Sequence, residues 1–198
     1  MFHSLYEQGS GAYIEQLSGD CTGVDIEMLK AAWNHAMEGH SILRTAFYYQ
    51  ELSVPVQRVM RNVVLPFEIL DYSGLPADEQ HAVIADFLIR DRQLGFDLNK
   101  APLMRVTLLK LDTERYKMVW TFHHIIMDGW SISVLMEEVL ACYRQLSDVR
   151  QLPLQREDRY VDFVRSIQAN DRHKEETFWK EYLSGYHTPS LLPFADGR

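Results

Sequence analysis

Apolar positions change their period several times along this chain. Residues 12–18, AYIEQLS, alternate and predict a strand, with GDCTG after it as a turn. From Asp25 the positions Ile26, Leu29, Trp33, Ala36 and Met37 recur at helical spacing, with Asp25 as N-cap and an end near His40. LRTAFYY and VPVQRVM then read as the two strands of a hairpin joined by QELS, and PFEILDYS as a short strand running into a turn. Residues 77–92 predict a second helix with Val83, Phe87 and Leu88 on its inner stripe, and LGFDLNKAP breaks it. LMRVTLLKL and YKMVWTFHH flank DTER as a second hairpin. Residues 131–146 form the clearest amphipathic helix. Ile132, Leu135, Met136, Val139, Leu140 and Tyr143 make its apolar stripe, and Glu137, Glu138 and Arg144 face away. SDVRQLPLQRED is a linker, residues 160–169 and 175–183 are two more helices, and GYHTPSLLPFADGR is a proline-marked loop.

Strands and helices are mixed and several strand neighbours read as antiparallel. The fold class expected is α/β in the broad sense, nearer α+β, with a mixed sheet flanked by helices. Neither repeats nor low-complexity tracts interrupt it, and no G-x-G-x-x-G or Walker-type loop supports a nucleotide site.

Composition narrows the function. Of 198 residues 46% are apolar, enough to fold, and the formal charge is −8 without a basic run. Phosphate binding needs clustered Lys and Arg, so nucleic acid and an anionic membrane surface are not expected partners. The two cysteines, Cys21 and Cys142, lie far apart, which suits a reducing compartment and leaves a structural zinc site without ligands by count. MFHSLYEQGSG has neither the basic start nor the long apolar run of a signal peptide, and no segment approaches the ~20 apolar residues of a membrane span. The expected location is the cytoplasm.

The unusual stretch is VWTFHHIIMDGWS, residues 119–131. Side chains alternate along a strand, so His123 shares a face with Val119 and Thr121, and His124 with Trp120 and Phe122. The two imidazoles point opposite ways and cannot easily bind one ion. Asp128 and Gly129 follow where the strand gives way to a helix, a place where sites gather. Asp128 could orient an imidazole or hold an arginine, and Gly129 could permit a backbone angle or a close approach closed to other residues. A lone histidine ending an apolar strand is ordinarily a satisfied one, and His3, His35, His40, His81, His173 and His187 are read that way. H-H-x-x-x-D-G between a strand and an amphipathic helix is a different matter, because imidazole moves protons at neutral pH. A metal site would need a third ligand, and none is suitably spaced beside His123 and Asp128.

HHIIMDGWS resembles the H-H-x-x-x-D-G signature of nonribosomal peptide synthetase condensation domains and, more distantly, of the chloramphenicol-acetyltransferase-like superfamily. GHSILRTAF (39–47) resembles the family's R-H-x-x-L-R-T-x-F block with Gly39 in place of arginine. RYVDFVRSI (159–167), FWKEYLSG and MFHSLYEQGSGAYIEQL are similar to further blocks. The resemblance covers essentially the whole chain. It implies the N-terminal lobe of a two-lobed domain over residues 1–198, with the first motif truncated, the C-terminal lobe absent and the active site in a tunnel between the lobes.

The same resemblance implies a chemistry. An acyl or peptidyl thioester and an aminoacyl thioester arrive on donor and acceptor carrier proteins, each on a phosphopantetheine arm. The amine of the second attacks the first and forms an amide without an acyl-enzyme. His124 is then the catalytic residue, either as general base or as the group that orients the amine. His123 is structural, Asp128 is an architectural anion with Arg44 as its partner, Gly129 admits substrate, and Trp130 and Ser131 pack on and cap the next helix. No tightly bound cofactor is expected. The isolated lobe is expected to be inactive and to self-associate through the face its partner lobe would cover. Three alternatives stay open: an epimerisation domain, a coenzyme-A-dependent acyltransferase, and a non-catalytic docking lobe.

Overall fold

The computed structural model describes residues 13–153 and 158–188. The chain divides into two compact units, residues 1–160 and 161–198. The opening MFHSLYEQGSG, residues 154–157 of the linker and most of the C-terminal loop lie outside the described residues.

The first unit is built on a four-stranded sheet in the order β1–β6–β5–β4. β1 is Ile14–Thr22, β4 Phe67–Asp71, β5 Met104–Lys110 and β6 Arg115–His123. The GDCTG stretch expected to turn is largely strand. β1 runs through it, pairing antiparallel with β6 from Ile14 opposite His123 to Thr22 opposite Arg115. The long partner strand overrides local turn propensity, and the chain turns only at Gly23, whose φ is +63° and whose N–H donates to the Glu114 carbonyl at 2.9 Å. β5 and β6 form the second predicted hairpin, antiparallel. β4 lies parallel to β5, because α2, Ala77–Leu94, carries the chain from one to the other as a β–α–β crossover. The first predicted hairpin is a separate two-stranded ribbon of β2, Thr45–Tyr48, and β3, Val56–Val59. Its expected first residues, Leu43 and Arg44, instead belong to a 3₁₀ turn, Ser41–Arg44.

Helices cover both faces of the sheet. Trp120 and Phe122 of β6 join Trp33 of α1, Ile26–Gly39, and Leu135, Val139 and Cys142 of α3, Gly129–Val149, in the main core. The ring centroids of Trp33 and Phe122 stand 5.0 and 4.6 Å from that of Trp120. Val119, one residue away and therefore on the opposite face, packs with Leu109 and Ile84 of α2. Asp25 caps α1 as the sequence implies, its carboxylate accepting the Met28 N–H at 3.0 Å.

Two helix faces differ from expectation. On α2 the buried residues are Gln80, Ile84 and Asp91, while Val83, Phe87 and Leu88 are half-buried. Gln80 donates to the carbonyls of Tyr72, Leu75 and Leu111. Asp91 accepts from Arg105 Nε at 2.6 Å, Gln16 Nε2 at 2.6 Å and the Thr121 hydroxyl. The Arg105 guanidinium also donates to the Gly95 carbonyl and lies 4.5 Å over the Phe96 ring. A period-reading rule that counts only apolar residues misses these positions, because their burial depends on partners from β1, β5 and β6. On α3 the buried stripe is Leu135, Val139, Cys142 and Leu146. Leu140 is exposed, and Glu138, expected to face away, is half-buried with its carboxylate 2.6 Å from His40 Nε2.

In the second unit α4, Tyr160–Gln168, and α5, Arg172–Tyr182, match the two predicted helices to within a few residues. Asp171 caps α5 by accepting from the N–H groups of His173 and Lys174. Phe178 and Tyr182 stack with centroids 5.8 Å apart on that helix.

Candidate active site

β6 ends at His123, and the strand's end is tied on both sides. The His123 N–H donates to the Leu103 carbonyl before β5 at 2.9 Å, and the His124 N–H to the Tyr13 carbonyl before β1 at 2.8 Å. The chain then turns back on itself. The Ile126 N–H donates to the His123 carbonyl at 3.2 Å and the Ile125 N–H to His123 Nδ1 at 3.0 Å. Ile126 and Met127 are buried in the main core, which pins the short connection to α3.

These contacts give the two imidazoles different states. His123 is 3% exposed and its Nδ1 accepts a hydrogen bond. Burial pushes its pKa down to about 4, with the neighbouring His124 acting in the same direction. It is neutral at pH 7 and is not placed to shuttle protons. His124 lies just past the strand, so alternation does not set its direction, and it is exposed. Its Nδ1 stands 2.8 Å from the Met127 carbonyl oxygen. A carbonyl can only accept, so the ring proton sits on Nδ1 and the lone pair of the neutral ring is on Nε2. A backbone group thus fixes the tautomer a general base requires.

Asp128 caps α3. One carboxylate oxygen accepts from the Ser131 N–H at 2.9 Å and from the Ser131 hydroxyl at 2.7 Å. Those bonds hold its carboxyl below the usual carboxylate range. The expected pair with Arg44 is not formed among the described residues. Arg44 is buried in the 3₁₀ turn, its guanidinium donating to the carbonyls of Met60 at 2.9 Å and Glu38 at 3.2 Å, while Asp128 is committed to its own helix. Ser131 therefore supports the cap instead of supplying it, and Trp130, expected to pack, is exposed. Gly129 needs neither a left-handed backbone nor a tight fit: a Cβ there would meet nothing within 4 Å. Glycine at this position keeps the approach to the helix start open.

The structure brings His123, His124, Asp128 and Gly129 together on one strand–turn–helix connection and leaves Arg44 in the 3₁₀ turn. Burial raises the pKa of both Cys21 and Cys142, so both thiols stay protonated at neutral pH. Among the described residues no group of three or more His, Cys, Asp or Glu side chains could hold a metal ion, and no helix is long and apolar enough to cross a membrane. Sequence reasoning missed the Met127 carbonyl, because a backbone group carries no residue-type signal. The cap was findable: D-G-W-S places a carboxylate three residues before a serine at a helix start.

The family described as the condensation domain matches residues 1–196. A linear gramicidin synthase of Brevibacillus parabrevis is 38% identical over 98% of the chain, which spans 2% of that protein. Bacitracin synthase 1 of Bacillus licheniformis is 32% identical over 98% of the chain, which spans 4% of it. Among solved structures, the starter condensation domain of the rhizomide synthetase RzmA superposes with a TM-score of 0.80 at 20% identity. It covers 95% of this chain and is itself 46% covered. The EpoB cyclization-docking bidomain from Sorangium cellulosum gives 0.72 at 24% identity, with 96% and 39% covered.

Proposed function

The chain belongs to the condensation-domain family of nonribosomal peptide synthetases, and from that premise we propose that it supplies the His124 side of an amide-forming centre. Residues 1–198 are the N-terminal lobe of a two-lobed domain, and the 46% share of the matched solved chain supports that reading. The substrates are an acyl or peptidyl thioester and an aminoacyl thioester, each on the phosphopantetheine arm of a carrier protein. The rest of the domain and neighbouring synthetase domains are its partners, and it works in the cytoplasm.

The observation that carries the reading is the His124 ring, exposed, with Nδ1 held by the Met127 carbonyl at 2.8 Å. Nε2 is left to take a proton from the attacking amine as the C–N bond forms and the thiolate leaves. Correctly positioned general bases contribute about 10²–10⁴-fold. Holding two tethered reactants together supplies a further share that requires no proton transfer. His123 and Asp128 position: one closes the turn, the other starts α3. The lobe alone, lacking the second wall of the cleft, is inactive and associates with itself.

The test is His124→Ala in the parent synthetase, with both carrier proteins loaded and the amide product measured. Loss of product with an unchanged circular dichroism spectrum is expected. Retained turnover overturns the assignment.

A further inference from the structure

His124 is held at two points. Its own N–H donates to the Tyr13 carbonyl at 2.8 Å, which fixes the backbone, and its ring Nδ1 stands 2.8 Å from the Met127 carbonyl oxygen, which fixes the ring. The two anchors are supported differently. Tyr13 leads directly into β1, which pairs with β6 along its whole length. The Met127 carbonyl belongs to residues 124–128, past the end of β6 and before the start of α3. Two buried side chains hold that connection down. Ile126 is 4% exposed and Met127 7%, and both pack in the main core, while His124 and Asp128 on either side are exposed. Ile126 is tied a second time, its N–H donating to the His123 carbonyl at 3.2 Å. Met127 is the residue that carries the carbonyl, and its side chain is the part of it that reaches the core.

A neutral histidine ring in water carries its proton mainly on Nε2, the tautomer with no lone pair there for an incoming amine. For His124 to accept at Nε2 that preference must be reversed. A carbonyl reverses it only while it stays within hydrogen-bond distance of Nδ1. We propose that Met127 is a positioning residue of the condensation centre: its buried side chain holds the carbonyl that keeps the His124 proton on Nδ1. This assignment rests on the reading of His124 as the base, and it places the choice of tautomer in the packing of one apolar side chain.

The tautomer is read directly by long-range nitrogen–proton correlation NMR on the chain labelled at histidine, at about pH 8, where ordinary imidazoles are neutral. Loss of the signal in His124→Gln identifies it. In the unmodified chain Nδ1–H predominates. Met127→Ala shifts the tautomer ratio about tenfold toward Nε2–H. Met127→Val moves it part of the way and carries the comparison if Met127→Ala does not fold. Met127→Leu, which conserves volume, keeps the original ratio. Leu135→Ala opens a cavity in the same core from α3, destabilises to a similar degree and leaves the ratio unchanged. An Nε2–H tautomer in the unmodified chain, or a ratio unmoved by the Met127 truncations, overturns the proposal. An equal shift in Leu135→Ala overturns it too, because the effect is then a general softening of the core. In the parent synthetase Met127→Ala lowers kcat with KM little changed, and Met127→Leu restores kcat. A shifted tautomer with kcat untouched defeats the reading of His124 as the base and leaves the anchor standing. A fall in kcat with the tautomer unmoved overturns the anchor.

Discussion

Asp91 and Asp128 are both carboxylates set against the same sheet-and-helix framework, and they are used in opposite ways. Asp91 is buried and surrounded: Arg105, Gln16 and Thr121 converge on it from three strands. Asp128 is exposed and, among the described residues, bonds within its own helix turn, chiefly to Ser131. The histidines repeat the contrast at adjacent positions. His123 is buried and neutral, and His124 is exposed with one nitrogen fixed and the other open. The polar groups gathered around Asp91 on the α2 side of the sheet are saturated and hold the fold. The side chains of His124 and Asp128 at the start of α3 are bonded locally, to groups three residues farther along the chain.

Four experiments sharpen or break that contrast. The largest expected effect is on rate: His124→Ala lowers amide formation by about 10²–10⁴-fold and leaves unfolding free energy unchanged in a urea titration. A matching loss of stability would move His124 to the saturated class. Next is Asp91→Ala, which strands Arg105 in a site where its side chain is 13% exposed. Breaking a buried pair from one side costs about 3–5 kcal/mol, readable as a drop in urea midpoint, whereas Asp91→Leu combined with Arg105→Met should recover most of it. If the single change costs no more than a surface substitution, the network is not a clamp.

The third experiment is a pH series. The folded pKa of His123 is about 4, below the ordinary 6.5. The unfolded chain therefore binds this proton first as pH falls, and stability drops with it. The contribution is complete above about pH 6.5, declines between about 6.5 and 4, and amounts to no more than about 3 kcal/mol. Thermal unfolding across that window should show the decline in the unmodified chain and a shallower one in His123→Gln. Equal slopes would remove His123 as the cause. The smallest effect is Asp128→Ala, loss of a helix cap worth about 1 kcal/mol. It is expected as a fall of about 2–4 °C in Tm for a chain of this size, with Asp128→Asn falling less because an acceptor remains. An unchanged Tm with lost activity would place Asp128 among the reacting groups.

Much of this was legible in the residues. Among the described residues, local periodicity located the five helices and both hairpins, Asp25 announced its cap, and HHIIMDGWS marked the strand–turn–helix connection. The errors share one cause. GDCTG became strand because β6 offered a long partner, and Gln80, Asp91 and Glu138 turned inward because other segments brought hydrogen-bond partners to them. Arg44 and Asp128 did not meet because each found nearer acceptors or donors.

By itself, then, the sequence determined which segments are helix and strand, where the main apolar stripes run, and which four residues stand at the strand–turn–helix connection. These follow from side-chain period and local capping, which act within a few residues. Only the tertiary structure decided that one imidazole is neutral and sealed while its neighbour is open. That outcome rests on the Leu103, Tyr13 and Met127 carbonyls, backbone groups whose positions are set by packing of distant strands and which no residue name records.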